Sequence, residues 1–242
     1  MSPIPPLKIR PGPARRFLKA PLWLWLVFGG VGSLFILLPQ MDLAVSGLFY
    51  TPGVGFAARG TWFERLVFLS TYWFLVLGTP ALVGLWLARR RGWLLGVGIG
   101  GRDLAFLLLV LALGPGLLVN GILKEHWGRA RPVDCQEFGG TLTFTPAFVP
   151  SDQGGGSFSS GHAAGSCFWV VVGLVFAPRR RLWVGMALGY SLLVAWARLA
   201  AGGHFLSDIL VSWLLVALLA YGLHGLLYPP HSEPASGIVP LS

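Results

Sequence analysis

Long apolar runs alternate with short polar interruptions along this chain, and the charges crowd into the interruptions. Six runs approach or exceed the roughly 20 residues a helix needs to cross a hydrocarbon core: 21–39, 65–88, 103–123, 160–177, 182–200 and 206–227. Gly78, Pro80, Gly114 and Pro115 fall inside the second and third, where neighbouring helices can satisfy the backbone. The pattern therefore predicts an all-α, six-transmembrane helical bundle. Between the first two runs, "MDLAVSGLFYTPGVGF" is too broken to span and is expected to lie along the outer interface, with Tyr50 as an anchor. The longest polar stretch is 124–159, where Gly154, Gly155 and Gly156 predict a flexible approach to the fourth span. Three regions follow: a basic cytoplasmic tail over 1–20, one membrane domain over 21–227, and a flexible cytoplasmic tail over 228–242.

Composition strengthens this picture. Of 242 residues, 55% are hydrophobic and 11% charged, against about a quarter charged in a soluble domain. Eleven Trp and sixteen Phe suit interfacial belts as well as cores. The net charge of +9 does not indicate nucleic acid, because the basic residues flank apolar runs. Lys8, Arg10, Arg15, Arg16 and Lys19, then Arg89, Arg90, Arg91 and Arg102, then Arg179, Arg180 and Arg181 make up twelve of the eighteen Lys and Arg. That bias predicts both termini on the cytoplasmic side. The start of the chain does not read as a cleaved signal, since no small-residue cleavage site follows the first run. Cys135 sits in a polar loop and Cys167 in a span, so neither a disulfide nor a metal site is expected.

Alternating spans carry a geometric consequence. The end of the third, the start of the fourth, the end of the fifth and the start of the sixth share one extracytoplasmic mouth. Lys124 and Arg131, Ser160, Gly161 and His162, Arg198, and finally His204 and Asp208 stand at those four places. Cations beside low-dielectric walls need an anion, and arginine's fork with lysine's point charge suits a tetrahedral phosphate. Ser160 and Gly161, at a helix start, would add backbone N–H donors. His204 and Asp208 are four apart, on one face once a helix has begun. Asp208 can orient one imidazole nitrogen and sharpen the other as a nucleophile, while His162 protonates a leaving oxygen. No cofactor or metal is called for. Arg129, His126 and Glu125 lie near the same mouth and are read as interface or charge-balancing residues.

Three motifs carry a resemblance. "KEHWGRARP" fits Lys-x6-Arg-Pro, "SSGH" fits a Ser-Gly-His centre, and "RLAAGGHFLSD" fits Arg-x5-His-x3-Asp. In this order they resemble the type 2 phosphatidic acid phosphatase superfamily, which also includes vanadium haloperoxidases. The resemblance implies a phosphatidic acid phosphatase type 2/haloperoxidase-like bundle, with a phosphohistidine on His204, orientation by Asp208, general acid catalysis by His162, and phosphate binding by Lys124, Arg131, Ser160, Gly161 and Arg198. Ser159 stands where the family commonly has Pro, and Ala197 where it often has Ser. "FGGTLTFTP", Phe138 to Pro146, is similar to a bacterial membrane-phosphatase subgroup associated with lipid A.

The expected activity is metal-independent hydrolysis of a lipid phosphate in the bilayer. The substrates in view are lipid A, phosphatidylglycerol phosphate, phosphatidic acid and undecaprenyl diphosphate. The expected location is the bacterial inner membrane, with the site facing the periplasm. A lipid phosphotransferase is the nearest alternative. An anion transporter would need charges through the depth of the spans, and haloperoxidase chemistry belongs to a typically soluble branch. Buried Asp208–Arg198 or Asp208–Lys124 pairs, serving only to hold helices together, are the plain structural reading of the same cluster.

Overall fold

The computed structural model describes residues 16–17, 20–93, 99–176 and 180–229. Lys8, Arg10, Arg15, Lys19 and Arg179, and the tail beyond Pro229, lie outside them. A two-residue antiparallel ladder pairs β1 (Arg16–Phe17) with β2 (Ala20–Pro21). Ala20, expected in a tail, is buried with Leu24 and Leu218.

Helix α1 (Leu22–Leu37) meets α2 (Gln40–Gly47) at an 84° bend. The cause is local: Pro39 biases the residue before it away from the helical region, and Leu38 has φ −126° and ψ 61°. After α2 comes a hairpin of β3 (Tyr50–Thr51) and β4 (Gly55–Phe56). The 40–60 segment, expected to lie along the outer interface, forms a short helix and a hairpin. Asp42 and Ser46 are buried, and Phe56 packs with Phe138 and Phe205.

Helix α3 (Trp62–Arg90) runs for 29 residues. Thr61 Oγ1 caps the helix by accepting from Glu64 N at 3.2 Å, and Glu64 Oε2 accepts from Gly60 N just before the cap at 3.0 Å. Helix α4 (Gly101–Leu111) continues as a π-helical stretch over Ala112–Lys124. Pro115 has no N–H to donate, and Asn120 Nδ2 reaches back to its carbonyl at 2.6 Å. Helices α5 (Gly161–Phe176), α6 (Arg180–Ala200) and α7 (Leu206–Leu227) complete the bundle.

Among the described residues four helical stretches are long and apolar enough to cross a membrane, or five if the bent α1–α2 pair counts as one span, against the six expected; α5 is a shorter apolar helix. Leu107, Val110, Val119, Phe168 and Val216 form the core between α4, its π-helical continuation, α5 and α7. A second core, of Phe56, Ala130, Cys135, Phe138 and Phe205, sits under the hairpin and the 125–159 loop. That loop is tied down: Ser151 N donates to the Trp127 carbonyl at 2.8 Å, Gly155 N to Gly128 at 3.0 Å and Ser157 N to Arg129 at 3.1 Å. Gly155 is a close-packing residue rather than a flexible approach, since a β-carbon there would collide with the Arg129 carbonyl.

Candidate active site

The sharp turn between α6 and α7 sets the spacing of Arg198, His204 and Asp208. Gly202 N donates to Leu199 O and Gly203 N to Arg198 O, with Gly202 at φ +63°, a conformation that favours glycine. The Arg198 guanidinium lies against Gly203, where a β-carbon would strike Nη2. Asp208 then starts α7: its Oδ2 accepts from Phe205 N at 2.8 Å.

His204 is almost fully buried, and its Nδ1 lies 2.8 Å from the Ser157 carbonyl. A carbonyl only accepts, so Nδ1 carries the proton and Nε2 keeps its lone pair. Asp208 Oδ2 is 3.8 Å from Nδ1, beyond a hydrogen bond. The expected direct Asp208–imidazole bond is therefore replaced by the Ser157 carbonyl, and Asp208 acts on the ring electrostatically. Burial, then Arg198 and Arg131, hold the His204 pKa below the usual 6.5 against the opposing pull of Asp208.

Asp208 is saturated with donors. Oδ1 accepts from Arg129 Nη1 at 2.5 Å, and Oδ2 also accepts from Ser157 Oγ at 2.6 Å. Arg129, read from sequence as an interface residue, is fully buried. Its Nη2 donates to Asp42 at 2.8 Å, its Nε to the Thr145 carbonyl at 2.8 Å, and its guanidinium stacks 4.3 Å from the Phe205 ring. Burial works against the Arg129 charge, but Asp208 and Asp42 outweigh it and raise its pKa.

Arg198 does not pair with Asp208 as the plain structural reading required. Its Nη1 donates to Glu64 Oε1 at 2.9 Å, and its buried Nε has no partner among the described residues. Its carbon Cζ stands 5.3 Å over the Phe68 ring, and the same ring stacks on His162 at 4.2 Å. Lys124 and Arg131 both approach Gly156, and neither has an ion-pair partner among the described residues. Phe68 thus lies against both Arg198 and His162, while Lys124 and Arg131 share Gly156 as a neighbour.

Ser160 caps α5, accepting from Ala163 N at 3.3 Å, and Ser159 Oγ is buried without a partner among the described residues. The Ser160 N–H points to the Asp208 carbonyl at 3.4 Å. Gly161 permits close approach to the π-helical stretch, because a β-carbon there would strike Asn120. His126 is exposed and bonds its own helix at Ile122, 3.0 Å away. Among the described residues no group of three or more His, Cys, Asp or Glu is arranged to hold a metal ion.

Residues 103–229 match the model of the PAP2 superfamily. The chain belongs to that superfamily. Every site residue expected from sequence lies within the PAP2 match, whereas Asp42 and Glu64 lie outside it. A lipid A 4′-phosphatase of Francisella tularensis subsp. novicida is 29% identical over 213 residues, covering 80% of this chain and 89% of that protein. A lipid A 4′-phosphatase of Rhizobium etli is 44% identical over 117 residues, covering 47% of this chain and 45% of that protein. In fold, the chain is similar to a crystal structure titled as the first transmembrane PAP2 type phosphatidylglycerolphosphate phosphatase from Bacillus subtilis, with TM-score 0.57, 21% identity, and coverage of 85% of this chain and 94% of that one.

Sequence reasoning missed Asp42, Glu64, Phe68, Ser157 and Ser207. Asp42 did leave a signal: it is the first acidic residue of the chain and follows an apolar run, where an ionisable group asks for a partner.

Proposed function

We propose that this PAP2 protein is an integral-membrane phosphatase that hydrolyses the phosphate of a lipid headgroup, with lipid A as the favoured substrate. The observation that carries the reading is the Ser157 carbonyl 2.8 Å from His204 Nδ1, which leaves Nε2 as the unprotonated nitrogen. Nε2 attacks phosphorus, forming an N–P bond as the bond to the lipid oxygen breaks. Lys124, Arg131 and Arg198 stabilise charge on the transferring group, and His162 gives a proton to the departing oxygen. Water then loses a proton to His162, attacks phosphorus and displaces Nε2, releasing inorganic phosphate. Asp208 stabilises the positive imidazole ring of the intermediate.

The lipid A preference is supported by the Francisella relative, which aligns with most of this chain. A greasy substrate is supported by an apolar groove of about 640 Å³, lined by Phe74, Leu82, Trp169, Trp183 and Tyr190. It lies on the stretches of α3, α5 and α6 that lead away from Phe68, His162 and Arg198, none of which lines it. In this reading the bent α1–α2 pair and α5 complete six crossings, and the site opens on the periplasmic side of the inner membrane.

Phosphate release from lipid A, phosphatidic acid and phosphatidylglycerol phosphate in detergent tests the proposal. Release from lipid A is expected to be fastest, and His204→Ala is expected to abolish turnover. Full turnover by that variant would remove His204 as the nucleophile.

A further inference from the structure

Three fully buried charges stand behind His204: Asp42, Arg129 and Asp208. Asp42 comes from α2, far along the chain, yet it serves the start of α7. Its Oδ1 accepts from Ser207 N at 2.9 Å, and its Oδ2 accepts from Ser207 Oγ at 2.5 Å and Arg129 Nη2 at 2.8 Å. A carboxylate 165 residues away thus occupies the place of a local helix cap.

The charge count does not balance as a purely structural pair would. One guanidinium faces two carboxylates, and an uncompensated buried negative charge is costly. Only one partner was needed to satisfy Arg129. The second carboxylate is compensated when positive charge develops on the His204 ring as Nε2 bonds to phosphorus. Geometry links the two events: Ser157 donates its hydroxyl to Asp208 and offers its carbonyl to His204.

We propose that Asp42 and Arg129 are positioning residues for the phosphoryl-transfer step, acting on His204 through Asp208 and Ser157. This rests on the functional reading above. The bent α1–α2 pair thereby becomes part of the catalytic apparatus without touching substrate. Arg198, Arg131 and His162 act on the His204 ring, and Arg198 is itself held by Glu64. Asp208 opposes those cations, with Arg129 paired to it and Asp42 paired to Arg129. Asp42→Asn keeps size and shape while removing one negative charge from that network.

The test uses the purified full chain in detergent, with Asp42→Asn and Arg129→Lys beside wild type. Asp42→Asn is expected to lower kcat roughly tenfold to a hundredfold, as for other groups that orient a reacting side chain. KM and inhibition by inorganic phosphate should stay within about twofold, since the phosphate-facing cations are untouched. The acid limb of kcat/KM should move to lower pH by about half a unit, because the ring loses a negative neighbour. Arg129→Lys keeps the charge but loses the fork; it should lower kcat and leave that limb closer to wild type. Unchanged kcat in Asp42→Asn overturns the proposal. So does a loss that merely follows a smaller folded fraction, with the pH profile in place. Turnover that survives His204→Ala would sink the functional reading instead, which separates the two failures.

Discussion

Arg129 and Arg198 are both buried and both paired with carboxylates, yet their donor inventories set them apart. All three nitrogens of Arg129 are engaged, by Thr145, Ser207, Asp208 and Asp42. Arg198 commits Nη1 to Glu64 and leaves Nε without a partner among the described residues. A buried guanidinium with all three nitrogens engaged by the protein has little to offer a ligand. One with a free edge is stabilised further when an anion arrives. Position in the sequence does not separate them, since both sit in motifs at the same mouth. Both lie over aromatic rings; the difference is in their polar partners, two carboxylates, a hydroxyl and a carbonyl for Arg129 against one carboxylate for Arg198.

The sharpest way to break this contrast is to remove each arginine in turn. Arg129→Leu strands two buried carboxylates and is expected to cost about 3–5 kcal/mol, seen as a large fall in melting temperature and yield in detergent. Arg198→Lys should leave the melt nearly unchanged and lower kcat/KM by roughly a hundredfold, because a point charge cannot replace the open fork. Equal losses of stability in the two variants would erase the distinction. Glu64→Gln sharpens it from the other side. Relieved of its carboxylate, Arg198 should bind inorganic phosphate about threefold more tightly as an inhibitor, although the capping arrangement at α3 weakens.

Acidification gives a smaller effect with a definite sign. The His204 pKa is held below 6.5 in the folded protein, so above 6.5 the ring is neutral in both folded and unfolded chains. As pH falls below 6.5 the unfolded chain takes up a proton first, and stability declines until the folded-state pKa is reached. Melting curves between pH 7.5 and 5 should show this fall, and His204→Asn should flatten it. The smallest expected effect is at Cys135. Its thiol is buried, and burial, aided by Glu137, pushes its pKa up to about 12. Iodoacetamide at neutral pH should leave it unmodified in the folded protein, as mass spectrometry can check.

Much of the site could be read from spacing, because its residues stand at helix junctions where the chain itself sets the geometry. The turn through Gly202 fixes the relation of Arg198, His204 and Asp208 locally. The cap of α5 places Ser160, Gly161 and His162 in one helical turn. Asp42 and Glu64 are different. Each is a lone acid whose partner lies more than a hundred residues away, 165 positions for Asp42 to Ser207 and 134 for Glu64 to Arg198. The sequence around Asp42 shows only that a buried acid wants a partner, and nothing near either residue names which one. The same holds for Ser157, whose backbone oxygen, rather than any side chain, accepts the hydrogen bond from His204 Nδ1.

Hydropathy by itself determined that this chain builds apolar helices and that its charges collect at their ends, since lipid leaves backbone polar groups no other refuge. Motif spacing put the candidate cations and imidazoles at the same set of helix junctions. Only the folded packing decided which arginine is closed and which is open, which atom orients His204, and that a bent helix pair delivers Asp42 to the start of α7. Those outcomes depend on surfaces brought together from distant parts of the chain, and hydrogen-bond saturation is a property of the assembled neighbourhood, not of any residue in it.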